Sequence, residues 1–347
     1  MVEITKYEID MLNVKAADAF LIHAFVKNSY GGEYEYVVLV DAGNEGDGDA
    51  ILSHIRQYYG QHYVDLAICT HCDADHYGGF KRLIEEHNKK GDFYINRFWT
   101  HDPYSHVDVD DVKYIQKRKT LRERLNEAYA FKDGGNLIQL IDAAKIEREE
   151  PFTGLEYAPL NIKVLGPDRD YYESLIPGFR VDVQFYDDAD TDYLSSSFLQ
   201  IVFSSASDYY SKTLEDAKDD GSPVNQSSII FLMKAKGDKL LFTGDAGREA
   251  LHRVIDTDKY GECKNIDFLK VPHPGSKHNL DNAIISHIHP SVSYISTERY
   301  GHFAHRCTVN ALKQVGRVYS THKDNSSLWH HRGTDPDREG YSKAEAL

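Results

Sequence analysis

"THCDADHYGG", Thr70–Gly79, places two His and two Asp within six residues and closes on two Gly. Imidazole and carboxylate are natural ligands of divalent ions, so the stretch reads as a metal site. In an extended loop alternate residues share a side, which points His71, Asp73 and Asp75 one way. His76 joins them where the chain turns into a helix. The competing reading is a polar loop whose Asp caps a helix. Four ligand-type residues in six, directly after the apolar run "VDLAIC" (Val64–Cys69), argue against it. Gly78 and Gly79 are expected to permit a tight turn that folds the loop back. Cys69 and Cys72 form a C-x-x-C with no second pair and read as packing and loop residues.

Upstream, "AFLIHAFV" (Ala19–Val26) and "YVVLVDAG" (Tyr36–Gly43) read as strands bounded by turn residues. "GDAILSHIRQYYG" (Gly48–Gly60) has helical spacing of its apolar residues and stops on Gly. Downstream, "SSIIFLMKAKGDKLLFTGDA" (Ser227–Ala246) reads as a hairpin turning at Gly237–Asp238, and "NIDFLKVPHPG" and "VSYIS" add further strands. Asp245 and His273 each lie just past such a strand. α/β-type sheets place their chemistry at these carboxyl ends. His302, in "ERYGHFAH", follows another candidate strand, and Lys277 lies four residues after His273.

Two stretches stand apart. Residues 105–147 read as helical and charged, with Lys113, Lys117, Arg118, Lys119, Arg122 and Arg124 expected on a solvated basic face. Residues 168–224 carry the acidic tracts "YDDADTDY" and "LEDAKDDG" and read as an insertion or lid, with "SSSFLQIVFSS" as a strand inside it. The last residues, "HHRGTDPDREGYSKAEAL", are polar and expected to be loosely held.

The bulk numbers bound the function. The chain has 347 residues, 41% of them hydrophobic, and a net charge of −15. That charge argues against broad, salt-driven adhesion to nucleic acid. It leaves a nucleotide or nucleic-acid substrate open, because bound metal ions supply local positive charge. Mean hydropathy is −0.54. No apolar run approaches the ~18 residues of a membrane span, so no membrane association is expected. Four Cys and no visible leader point to a reduced, cytoplasmic protein.

The loops in this order resemble the metallo-β-lactamase fold superfamily. The resemblance is strongest to the hydrolase domain of the DNA-uptake competence membrane protein and its stand-alone relatives. It is carried by "MLNVKAADAFLI" (11–22), "VVLVDAG" (37–43), "THCDADHYGG" (70–79), "VNQSSIIFLMKAKGDKLLFTGDA" (224–246), "LKVPHPGSKH" (269–278) and "YGHFAH" (300–305). It implies an α+β fold, a four-layer αββα sandwich, over residues 1–325. Insertions would lie at about 105–150 and 168–224, and a polar tail at 326–347. It further implies that His71, Asp75, His76, Asp245 and His273 are metal ligands and that Asp41 orders them from behind.

The chain departs from that pattern in three places. Asp73 stands where the superfamily carries a second His. No His occurs from Val107 to Gly244, so the separate His expected between the loop and Asp245 is missing, unless His101 or His106 returns to the site. "NQSS" (Asn225–Ser228) takes its place. Pro274 replaces a second His after His273. One metal position thus keeps Asp75, His76, His273 and Asp245. The other keeps His71, Asp73 and the shared Asp245, an oxygen-rich set suited to Mn²⁺ or Mg²⁺.

The expected cofactors are one or two divalent ions, Zn²⁺ or Mn²⁺, with Mg²⁺ an alternative. The expected reaction is phosphodiester hydrolysis by a metal-bound hydroxide, as in a nuclease or nucleotide phosphodiesterase. Asp75 and His302 are the candidate catalytic groups. Asn225, Ser227 and Lys277 are the candidate contacts to a small-molecule or nucleic-acid phosphodiester. The alternatives are hydrolysis of a lactone, thioester or β-lactam, and a binding module without catalysis whose insertions meet a protein partner.

Overall fold

The structure, a computed structural model, describes residues 3–15, 17–108, 119–180, 213–297, 304–321, 327–332, 338–339, 341 and 344–347. His302, the "SSSFLQIVFSS" segment, Lys113, Lys117 and Arg118 lie outside the described residues.

Apolar alternation builds the first sheet. It contains β1 (Glu3–Met11), β2 (Phe20–Lys27), β3 (Glu33–Val40), β4 (Tyr63–Ile68), β5 (Tyr94–Trp99) and β6 (Glu147–Glu149). The second contains β7 (Glu156–Tyr157), β8 (Ile162–Gly166), β9 (Ile230–Ala235), β10 (Asp238–Phe242), β11 (Phe268–Lys270), β12 (Val292–Ile295) and β13 (Arg317–Ser320). A last strand, β14 (Leu328–Arg332), pairs antiparallel with β1 and completes two seven-stranded sheets among the described residues.

Successive strand residues face opposite sides, so each sheet feeds two cores. In β2, Phe20 and Ile22 enter the layer between the sheets, where they meet Phe231, Phe242 and Phe268, while Leu21 faces the outer helices. In β9, Phe231 and Met233 face inward and Ile230 and Leu232 face outward. Helices Gly48–His54, Phe80–Asn88 and Leu137–Ala144 cover the first sheet, and Arg248–Asp256 and Asn282–Ile288 cover the second. The result is the αββα sandwich.

Several local readings shift. The hairpin turns on Lys236 and Gly237, both with positive φ (52° and 87°), and Asp238 already belongs to β10. Such a two-residue turn matches the twist of its strands. The 105–150 stretch does not sit outside the core: Leu121, Leu125, Leu137 and Ile141 are fully buried in the outer layer, and β6 extends the sheet beside β5. Arg124 is not on a solvated basic face. It is 1% exposed, and its Nη1 donates to the carbonyls of Pro177 (2.8 Å) and Phe179 (2.6 Å). Nor is the end of the chain loosely held where it is described. Beyond β14, Arg338 pairs with Glu8 and Asp10, and the Leu347 amide donates to Val318.

Gly78 and Gly79 also act differently from the expected tight turn. Both have ordinary right-handed helical dihedrals. They are small because another backbone passes against them: a Cβ on Gly78 would lie 2.4 Å from the Glu45 nitrogen, and one on Gly79 2.2 Å from the Ala42 carbonyl oxygen. This contact seats the metal loop on the end of β3. Gly79→Ala is expected to lower the unfolding free energy by about 1–3 kcal/mol, the usual cost of overpacking. Gly91→Ala, where nothing lies within 4 Å of the new Cβ, is the near-neutral control. Denaturant titration of both variants checks this.

Candidate metal centre

β3 and β4 are parallel neighbours, so their carboxyl ends lie side by side. Asp41, just past β3 with φ 57°, is buried there. Its Oδ1 accepts from the Thr70 amide (2.7 Å), and its Oδ2 accepts from the Thr70 hydroxyl (2.8 Å) and His76 Nδ1 (2.9 Å). These bonds orient two imidazoles. His76 Nδ1 donates to Asp41, and His76 Nε2 faces Asp245 Oδ2 at 3.3 Å. Burial would lower the His76 pKa, but the charges of Asp245, Asp41 and Asp75 outweigh that and raise it well above the usual imidazole value. The Thr70 hydroxyl proton is spent on Asp41, so its oxygen accepts from His71 Nδ1 at 3.1 Å. His71 Nε2 is buried, faces Asp73 Oδ2 at 3.5 Å and has no hydrogen-bond partner. Orphaned buried acceptors are rare, and a cation is the natural partner for this one.

His71, His76 and Asp245 each bring a ligand atom within 4.8 Å of the others. Asp245 comes from the loop after β10. Its approach depends on Gly244, where a Cβ would lie 2.9 Å from the Cβ atoms of both Ser228 and Thr70. The Asp245 amide donates to Ser228 Oγ at 3.0 Å. His273 follows β11 in a left-handed conformation (φ 43°) and donates from Nδ1 to Asp245 Oδ2 at 2.8 Å. Burial would lower its pKa, but the charge and hydrogen bond of Asp245 outweigh that and raise it to about 9. Asp75 stands at the rim, with Oδ2 3.9 Å from His76 Nε2. Burial, together with the charges of Asp73 and Asp245, raises its pKa against the pull of His76. The donors fit a divalent ion: imidazole nitrogens converge beside carboxylates, and a bound ion would displace protons held on those nitrogens.

Asp73 is placed differently from the other expected ligands. Its Oδ2 lies 3.5 Å from His71 Nε2, but its Oδ1 is taken by Arg180 Nη1 at 2.8 Å. Burial would raise its pKa, yet the neighbouring His71 and the charge of Arg180 hold it well below the usual carboxylate range. The expected substrate contacts are mostly turned inward. Asn225 Nδ2 donates to Asp220 Oδ2 at 2.9 Å, and the Asn225 amide oxygen is buried without a partner. The Ser227 hydroxyl is committed to the Val224 carbonyl at 2.6 Å, so it is unsuited to grip a substrate. Lys277 is buried, with its amide on His305 Nδ1. His101 and His106 belong to another cluster. His101 stacks on Tyr172 and Phe152, and burial lowers its pKa to about 3. His106 lies between Glu150 and Glu173.

The sequence reading missed Thr70, Ser228, Arg180, Asp18 and Lys270. Lys270 was detectable as the one charge in the apolar run "FLKV". Its Nζ is buried against Asp18 Oδ2, the Gly244 carbonyl (2.7 Å) and Asp245 Oδ1 (3.4 Å). Burial favours its neutral form, but Asp18 and Asp245 outweigh that and keep the ammonium charged. Asp18, Asp41 and His76 also converge. This second group is no metal site, because the ammonium already sits on Asp18 and Asp41 already accepts three hydrogen bonds.

Two mixed sheets covered by helices, with His and Asp converging at their carboxyl ends, form a recognisable architecture. The family model described as Metallo-beta-lactamase superfamily matches residues 29–110, the segment that contains Asp41 and the Thr70–Gly79 loop. The chain has the metallo-β-lactamase fold. Among solved structures of low identity is the metallo-beta-lactamase fold protein YhfI from Bacillus subtilis, 11% identical over 94% of this chain and 99% of that one, with a TM-score of 0.45. A long form RNase Z from yeast is 12% identical over 94% of this chain and 42% of its own, with a TM-score of 0.44. Unliganded yeast PDE1 is 9% identical over 91% and 96%, with a TM-score of 0.43. Comparison with curated proteins gave no match. Among the described residues, no helix is long and apolar enough to cross a membrane.

In this metallo-β-lactamase fold Lys270 balances two buried carboxylates from behind the centre. Lys270→Met is expected to cost about 3–5 kcal/mol, because removing one partner strands buried charge. Urea unfolding of the variant checks this; a cost below about 1 kcal/mol would contradict it.

Proposed function

We propose that this chain is a metal-dependent hydrolase of phosphodiester bonds, a nuclease or nucleotide phosphodiesterase of the competence-protein type. The observation that carries the reading is the buried Nε2 of His71, without a hydrogen-bond partner, grouped with His76 and the Asp245 carboxylate. A divalent ion held by those three, with His273 and Asp75 adjacent, supplies Lewis-acid activation of water and charge neutralisation at phosphoryl oxygens.

The chain's own residues set the conditions for that chemistry. Asp41 fixes the orientation of the two imidazole rings. Asp75, with its raised pKa and its position at the rim, is suited to take a proton from an attacking water and pass it on. The Arg180 guanidinium, beside Asp73 at the edge of the centre, favours a charged phosphodiester over a neutral lactone or β-lactam. Asn225, through its unpartnered amide oxygen, and Lys277 are proposed as further substrate contacts, and His302 as a group acting on the leaving oxygen.

A bis-aryl phosphodiester assayed with Mn²⁺ and with Zn²⁺ tests the proposal. Asp75→Ala is expected to lower kcat by about 10²–10⁴-fold, and His76→Ala to abolish metal-dependent turnover. Equal rates in both variants and the unaltered protein would sink it.

A further inference from the structure

The His71–Asp73 half of the centre does not suit a second metal ion. Asp73 has one carboxylate oxygen turned to His71 and the other in an ion pair with Arg180. Arg180 Nη2 also donates to the Cys72 carbonyl, so the guanidinium bridges the loop on both sides of the Cys72–Asp73 peptide. A divalent ion on Asp73 would meet this fixed positive charge at close range.

Arg180 is not a mobile surface side chain that happens to lie nearby. It follows Phe179, which is buried in the outer core, and it adopts a left-handed backbone conformation (φ 53°). Such a conformation is costly for a residue other than Gly and persists where the surroundings dictate it. Here the surroundings include Arg124, whose buried guanidinium clamps the Pro177 and Phe179 carbonyls. One arginine thus fixes the segment that presents the other. The Arg180 Nε–H is buried and has no protein partner among the described residues, which leaves a spare donor beside the centre.

We propose that Arg180 is the second cation of this centre. Its guanidinium stands on Asp73 in place of a second metal ion, and a single divalent ion is held by His71, His76 and Asp245. This rests on the metal-centre reading above and deepens it: a two-ion site becomes one ion plus one arginine. The close grouping of three ligand atoms matches one ion. The missing imidazoles of the second position are then no defect, since a guanidinium needs carboxylate and carbonyl acceptors, which Asp73 and Cys72 provide.

The test is metal stoichiometry. The full chain, Arg180→Lys and Arg180→Gln are each equilibrated with Mn²⁺, separated from free ion and measured by plasma mass spectrometry, with folding checked by circular dichroism. One ion per chain is expected for the unaltered protein and for Arg180→Lys. Arg180→Gln is expected to rise toward two, the additional ion being the weaker and lost again in Arg180→Gln/Asp73→Asn. Two ions of similar affinity in the unaltered protein would overturn the proposal without any variant. So would a folded Arg180→Gln that stays at one. The readout does not depend on turnover: one ion per chain with no phosphodiester hydrolysis would overturn the substrate reading alone.

Discussion

The Asp41 carboxylate accepts three hydrogen bonds in the buried layer at the end of β3, and the site follows from them. Two come from Thr70 and fix the start of the loop after β4. The third comes from His76. Through the Thr70 hydroxyl the same carboxylate also decides which nitrogen of His71 carries the proton. Two imidazoles are thereby held with ligand atoms close to each other and to Asp245. A partner behind the ligand raises its basicity and holds its orientation.

This arrangement concentrates negative charge in a dry place. Asp18, Asp41 and Asp245 are each no more than 2% exposed, and burying carboxylates is expensive unless they are paired. The chain distributes the balance in space. Lys270 neutralises the rear, between Asp18 and Asp245. Arg180 neutralises the rim at Asp73. The face between them, where His71, His76 and Asp245 converge, is the candidate position for a divalent cation. The electrostatic design and the donor geometry therefore select the same position.

Much of the fold and part of the site were legible in the sequence. β2, β3, β4 and the β9–β10 hairpin were legible because apolar alternation and buried runs are local signals, as in "YVVLVDAG" and "VDLAIC", whereas β1, β5, β8 and β14 were not read from the sequence. The grouping of His71 and His76 was legible because both lie on one loop. The partners of these residues were not. Asp18, Lys270 and Arg180 reach the centre from elements far apart in sequence, and only Lys270, a charge within an apolar run, stands out where it lies. Arg124 reads as one more charge on a basic helix, and only packing shows that it is buried and clamps a distant turn. The two glycines of the loop were noticed for the wrong reason: their dihedrals suit any residue, and what excludes a side chain is the backbone of residues 42–45. Close approach between segments has no signature within either one.

The account stands or falls on Asp41 as the group that orients the ligands. Titration calorimetry of Mn²⁺ and Zn²⁺ binding to Asp41→Asn and to the unaltered protein measures this most directly, with secondary structure monitored in parallel. An amide keeps one accepting oxygen but puts an NH2 donor where the second carboxylate oxygen stood, so it cannot hold all three donors, and affinity should fall by about 10–100-fold while the fold persists. Unchanged affinity in a folded Asp41→Asn would contradict the claim that this carboxylate builds the metal centre.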